Sequence, residues 1–267
     1  MSNHLSRRNF LTGSAFFAAA STVGLGGLFD LSKVLAAGPD DMPTILNVSA
    51  TGEAFSVAHY YRALDKSTKA NFTPGQIAYL KAALEAEQAH LDVLIANGGK
   101  PLIAKFFFPA GSFDTVEAFA TLTAIWETIS VGVYVAATHS FAELGQPELA
   151  AMATQIAVVE GQHLALVNEI AGVFPNDLPL AAPVYYAVSD VVGSLGFLTQ
   201  WMVDGSVGPL GAMEKTAVSS PGKDAVVQAI GKSALLAKLP APFNTAIAPF
   251  AKQSVAAAAT MAATVAK

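Results

Sequence analysis

The sequence predicts an all-α protein built around a four-helix bundle of two antiparallel hairpins, followed by further helices. Apolar residues recur at helical spacing, and no sustained alternating pattern predicts a strand. Pro and Gly residues divide residues 41–172 into four long segments, and the polar residues of the first two segments reappear in the last two. With 53% hydrophobic and 13% charged residues among 267, the composition favours closely packed helices over disorder.

The four predicted helices span residues 41–65, 73–97, 114–145 and 147–172. Thr73 before Pro74 is typical of a helix N-terminus, and Asp114 followed by Glu117 is typical of a capping box. Short connections within each pair predict antiparallel hairpins. Residues 98–113 between the pairs are long enough to run along the bundle, which predicts one long crossover.

The N-terminal residues 1–37 resemble a twin-arginine export signal. Arg7 and Arg8 precede a moderately apolar stretch, and Ala36 lies at a suitable cleavage position. The expected product is a periplasmic or extracellular protein with no stable membrane anchor after cleavage. The alternative is that residues 10–29, which are long enough to span a bilayer, stay attached as an anchor.

Residues 173–267 predict a C-terminal helical extension. Helical patterns occupy residues 185–204, 223–238 and 243–267, and none of them carries a cofactor motif. These helices could pack on the bundle or form a contact in a homo-oligomer. A net charge of −5 without basic clusters argues against nucleic acid as a partner.

Polar residues repeat between the two predicted hairpins at a spacing of 73 or 74 residues. The repeated pairs are Glu53 and Glu127, Tyr60 and Tyr134, Glu87 and Glu160, and His90 and His163. Duplication of one helical hairpin explains all four pairs. The sequence around the four glutamates is apolar, so the carboxylates are expected to be buried within the bundle.

The repeated acids and imidazoles predict a two-metal carboxylate site. Glu and His three residues apart share one helix face, and two such helices plus one Glu from each of the other two form the ligand set of di-iron and di-manganese bundles. The predicted ligands are Glu53, Glu87, His90, Glu127, Glu160 and His163. The chain has no cysteine, which excludes thiolate zinc sites and iron–sulfur clusters. Carboxylate and imidazole donors remain, and they suit iron, manganese or zinc; the two-metal ligand set favours iron or manganese.

Four carboxylates buried together repel one another unless cations or protons neutralise them, so their pKa values are expected to be raised without metal.

The other histidines are expected to play no part in the site. His59 and His139 do not share a helix face with the predicted ligands and are interpreted as packed or solvated side chains.

On these residues, 43–172 resemble the ferritin-like superfamily, more closely the exported ferritin-like domains akin to plant desiccation-related proteins. The resemblance implies a four-helix core with the six ligands above. It also implies that Tyr60 and Tyr134 hydrogen-bond ligand carboxylates, although plain aromatic packing is an equal alternative.

The function that follows is redox activity on oxygen or peroxide in oxidative or desiccation stress, of a ferroxidase, peroxidase or catalase type. A non-catalytic structural or stress-protective role is the alternative. Iron storage in a hollow shell fits less well, because a long C-terminal extension does not suit a compact cage subunit.

Overall fold

Four long helices form the core of the computed structural model, which describes residues 40–175, 187–189, 200–208 and 211–231. Helix α1 spans Met42–Lys66, α2 Pro74–Ala96, α3 Val116–Glu143 and α4 Pro147–Ile170. α1 packs along α2 and α3 packs along α4, so each pair is a hairpin, and the second hairpin lies against the first. The predicted all-α class, with two hairpins and a long crossover, is confirmed.

The first two helices begin at side-chain caps that the sequence predicts. Asp41 accepts a hydrogen bond from the Thr44 backbone N–H at 2.8 Å. Thr73 and Gln76 form a reciprocal capping box at the start of α2. Such caps satisfy N–H groups that have no partner within the helix and stabilise it by about 1 kcal/mol each.

The start of α3 differs from the predicted capping box. Its cap is Thr115, whose side chain accepts from the Ala118 N–H at 3.1 Å. Asp114 instead pairs with Lys69 at 2.5 Å, which ties the crossover to the loop of the first hairpin. Asp114 and Thr115 are both good capping residues, and Thr115 is the one that caps the helix.

The crossover covers one side of the bundle with aromatic side chains. Phe106 and Phe108 are fully buried, and their rings lie 5.4 Å and 4.9 Å from that of Phe55 in α1. Within the crossover, strand β1 (Lys105–Phe106) pairs antiparallel with β2 (Val218–Ser219). The sequence did not predict this pair, because two-residue strands are too short to show alternation.

The described part of the C-terminal extension contains two short helices, α5 (Gln200–Asp204) and α6 (Lys223–Ile230). α6 packs on α2, where Val226 joins the hydrophobic core. The prediction that this helix continues to residue 238 is wrong: it ends at Ile230, and Gly231 follows with φ of +77°.

Several sequence expectations fall outside the described residues. These are the export signal at residues 1–37, the helix predicted at 243–267 and most of the helix predicted at 185–204. α3 is long and apolar enough to cross a membrane, with a mean hydropathy of 1.4, but 72% of that stretch is buried inside the protein, as expected for a core helix.

Candidate metal centre

Each of the four bundle helices contributes a glutamate from its middle turns to one buried cluster. The six residues that the sequence predicts as ligands converge there, and we call them the carboxylate–histidine cluster: Glu53 from α1, Glu87 and His90 from α2, Glu127 from α3, and Glu160 and His163 from α4. The four glutamates are at most 2% exposed, and the two histidines are 9% and 6% exposed. The three-residue spacing places each Glu and His of a pair on the same inward face.

One half of the cluster is gathered around the ring of His90. Its Nδ1 atom lies 3.2 Å from Glu160 Oε1, 3.4 Å from Glu87 Oε2 and 3.6 Å from Glu53 Oε2. One donor atom from each of these four residues lies within 4.8 Å of the others, a spacing at which they could hold one metal ion. We call these four residues the His90 group.

The other half is gathered in the same way around His163. Its Nδ1 atom lies 3.0 Å from Glu87 Oε1, 3.2 Å from Glu160 Oε2 and 3.7 Å from Glu127 Oε1. These four residues, the His163 group, also offer donor atoms within 4.8 Å of one another. Glu87 and Glu160 therefore belong to both groups and present one oxygen to each.

The cluster contains buried polar atoms that have no hydrogen-bond partner. They are Glu53 Oε2, Glu87 Oε1 and Oε2, His90 Nδ1, Glu127 Oε2 and Glu160 Oε1. Buried polar atoms are almost always paired, and an unpaired carboxylate oxygen away from water is costly. Because these atoms converge on one another, the residues fit a site that cations complete.

Two tyrosines donate hydrogen bonds to Glu127 and Glu53, the two glutamates that belong to one group each, and both bonds cross between the hairpins. Tyr60 of α1 donates to Glu127 Oε1 of α3 at 2.5 Å, and Tyr134 of α3 donates to Glu53 Oε1 of α1. Both tyrosines are buried. The hydrogen-bonding role that the resemblance implies for them is thus present in the structure.

Without a cation, the cluster balances its charges with protons. Burial, with the nearby charges of Glu87 and Glu160, raises the pKa of Glu53 and of Glu127 well above their usual range. For the histidines, burial disfavours the charged ring, but the carboxylates that surround each ring at 3.0–3.7 Å outweigh it. The pKa values of His90 and His163 are therefore raised.

The expectation that all four carboxyl pKa values are raised is wrong for Glu87. Burial pushes the pKa of Glu87 upward, but the adjacent rings of His163 and His90 outweigh it and lower the pKa below its usual range. Glu87 lies between the two imidazoles, whereas Glu53 and Glu127 each face only one. Spacing along the sequence did not show that Glu87 lies between the two rings.

The two remaining helix histidines lie outside the cluster, as predicted. His59 is fully buried among aromatic rings, and its Nε2 is 2.8 Å from Thr123 Oγ1. Thr123 donates its own proton to the Phe119 carbonyl, so His59 donates through Nε2. Burial lowers the pKa of His59 to about 3, so the ring is neutral. His139 lies near the surface, 3.7 Å from Glu143.

One residue beside the cluster was missed by sequence reasoning. The hydroxyl of Tyr79 in α2 lies 3.0 Å from that of Tyr60. No signal in the sequence marks it, because the 73-residue repeat that relates Glu87 to Glu160 places Met152 at the matching position.

Comparison with known proteins supports the fold and the cluster together. Residues 41–173 match the family model described as a ferritin-like domain. No curated protein and no solved structure matches the chain. The matched residues contain the four bundle helices and all six members of the carboxylate–histidine cluster.

Proposed function

Since residues 41–173 form a ferritin-like domain, we propose that this protein binds two divalent metal ions, iron or manganese, and uses them in redox chemistry on oxygen or peroxide. The observation that carries the proposal is the sharing of Glu87 and Glu160 between the His90 group and the His163 group. Each group contains the two shared carboxylates, one further Glu and one His. The two groups therefore offer two adjacent metal positions with the same kinds of donor.

Charge and donor type both favour this reading. Four ionised carboxylates carry four negative charges, which two divalent cations neutralise, and the imidazoles then bind in their neutral form. Carboxylate and imidazole donors without thiolate suit iron and manganese.

A bound pair of iron or manganese ions would supply two-electron chemistry on oxygen or peroxide. The surrounding residues would prepare the site for it. Burial of the glutamates excludes bulk water and strengthens the electrostatic hold of the carboxylates. Tyr60 and Tyr134 fix the orientation of Glu127 and Glu53, and outer-shell bonds of this kind commonly change metal affinity 10- to 100-fold.

The proposed activity is tested by loading metal-stripped protein with Fe²⁺ or Mn²⁺ and following oxygen and peroxide consumption. Wild type is expected to consume one of them faster than the free metal does. Glu160→Gln is expected to slow it about 100-fold, because it removes a carboxylate shared by both positions. Glu169→Gln, at an exposed position of the same helix, is the matched control and should behave as wild type. Metal binding without consumption of either oxidant would contradict the redox role.

The second candidate is a non-catalytic, stress-protective protein in which metal only stabilises the bundle. The unpaired buried oxygens of the cluster favour it, because neutralising them stabilises the fold whether or not chemistry follows. The same experiment separates the two candidates. Metal-dependent stability with no turnover is the result expected of the second.

We also propose that the protein is exported by the twin-arginine route to the periplasm or beyond, after the metals have been inserted in the cytoplasm. Its support is the Arg7-Arg8 pair ahead of an apolar stretch. Replacing both arginines by Lys is expected to leave the protein folded in the cytoplasm and to reduce the exported fraction by at least about 10-fold. Fractionation followed by immunoblotting measures this, and undiminished export of the variant would contradict the proposed route.

A further inference from the structure

The duplicated cluster is not symmetric, and the difference lies at Tyr79. Tyr60 and Tyr134 are equivalent in the repeat, and each donates to a terminal carboxylate. Only Tyr60 has a second phenol beside it among the described residues, the hydroxyl of Tyr79 at 3.0 Å. At the position equivalent to Tyr79 the chain has Met152, whose sulfur lies 4.0 Å from the Asn97 side-chain amide.

The hydrogens of this pair can be assigned from the contacts. Each phenol has a single proton to donate. Tyr60 uses its proton toward Glu127 at 2.5 Å, so its oxygen is the acceptor for Tyr79. The other acceptor near Tyr79 is the His163 carbonyl oxygen at 3.4 Å, a longer contact. The chain of donors runs from Tyr79 through Tyr60 to Glu127, and bonds in such a chain strengthen one another.

Tyr79 also contacts the histidine of the same group. Its ring centroid lies 6.4 Å from that of His163 and 6.1 Å from that of Tyr60, and the Tyr60 and His163 rings lie 5.8 Å apart. The three rings pack edge to face, so Tyr79 restrains both the ring of a ligand and the tyrosine that orients another ligand. Among the described residues, no equivalent ring trio surrounds His90.

Resting on the two-metal function proposed above, we infer that Tyr79 is a positioning residue that makes the two metal positions unequal, so that the His163 group binds its ion more tightly than the His90 group. The physical reason is preorganisation. A carboxylate and an imidazole already held in place lose less conformational freedom when the cation binds. The asymmetry comes from the protein and not from the ligand types, which are the same in both groups.

The test is a Mn²⁺ titration of the metal-stripped full chain, followed by the electron paramagnetic resonance signal of free Mn²⁺. Wild type should bind in two steps of unequal affinity. Tyr79→Phe keeps the ring and removes the hydroxyl, and should weaken the tighter step about 2- to 10-fold, the effect of one hydrogen bond, while leaving the weaker step unchanged. The control Tyr61→Phe removes a hydroxyl from the residue that follows Tyr60 in α1 and should change neither step.

Two backgrounds assign the effect to a position. His90→Ala removes a ligand of the His90 group, so in this background Tyr79→Phe should still weaken Mn²⁺ binding by the His163 group. His163→Ala removes a ligand of the His163 group, so in this background Tyr79→Phe should have no effect on Mn²⁺ binding. Equal weakening in both backgrounds, or no weakening in either, would overturn the inference while leaving two-metal binding intact. Wild-type protein that binds no Mn²⁺ or Fe²⁺ would overturn the proposed function itself and the inference with it.

Discussion

Replacing Glu53 and Glu127 together by Gln is expected to weaken metal binding by at least ~100-fold and, at the same time, to stabilise the metal-free protein at neutral pH. Each substitution removes a terminal ligand, a larger change than the roughly 10- to 100-fold effect of outer-shell residues. The stabilisation follows because burial and neighbouring charges make the ionised forms of these two acids costly, as the raised pKa values indicate. An amide has no charge to bury.

The amides also keep the contacts that the carboxylates make. Each amide oxygen can still accept from Tyr134 or Tyr60. Each substitution also removes a buried carboxylate oxygen that has no hydrogen-bond partner. Relieving two such unsatisfied groups is expected to raise the free energy of unfolding by about 1–3 kcal/mol. Chemical denaturation at pH 7.5 in the presence of chelator measures this difference.

Glu87→Gln is the matched control, because it makes the same chemical change inside the same cluster. Glu87 lies between two imidazoles, 3.0 Å from His163 and 3.4 Å from His90, and this pairing lowers its pKa. Removing one charge of a buried ion pair commonly costs about 3–5 kcal/mol of stability. Glu87→Gln removes the carboxylate that pairs with the two imidazoles, so this variant should destabilise the metal-free protein. If both variants shift stability in the same direction, the charge account of the cluster is incorrect.

The metal-free protein is expected to lose stability as pH rises above about 6.5. Glu53, Glu127, His90 and His163 all have raised pKa values in the folded state. Their stabilising contribution is complete below the pKa of the unfolded chain and is lost as pH rises through the folded pKa. For the two histidines this loss begins near the ordinary imidazole value of about 6.5.

Two groups act in the opposite direction at lower pH. The folded-state pKa of His59 is lowered to about 3, so its contribution is lost as pH falls from about 6.5. The contribution of Glu87 to stability is likewise lost as pH falls through its lowered pKa.

Metal should reverse the loss of stability above about pH 6.5, because metal binding releases protons and therefore tightens as pH rises. Melting curves at pH 6.5, 7.5 and 8.5, with chelator and with Mn²⁺, should diverge, and metal-free stability that rises over this range would rule out the proposed protonation of the cluster.

The sequence predicted the positions of the cluster residues better than their individual roles. Helical periodicity and the repeat at 73 or 74 residues are local patterns, so they were enough to bring all six side chains to one level of the bundle. They did not show that Glu87 and Glu160 each present an oxygen to both groups, because that depends on side-chain direction across helices. The lowered pKa of Glu87 follows from the same cross-helix geometry.

The features that the sequence did not predict are tertiary. Thr115 and not Asp114 caps α3, and Asp114 instead pairs with Lys69, which lies far away in the chain. The pairing of β1 with β2 joins the crossover to the C-terminal extension through strands too short to leave a pattern. Tyr79 is an ordinary aromatic residue on a helix until the fold places it against Tyr60 and His163.

Metal content per chain tests the central claim most directly. Purified wild-type protein dialysed against Fe²⁺ or Mn²⁺ should retain about two ions per chain after excess metal is removed, since two groups of four donors share two carboxylates. The Glu53→Gln, Glu127→Gln double variant should retain almost none under the same conditions. Wild-type protein that retains no ion, or whose thermal melt is unchanged when a measured quantity of metal is stripped by chelator, would contradict the account.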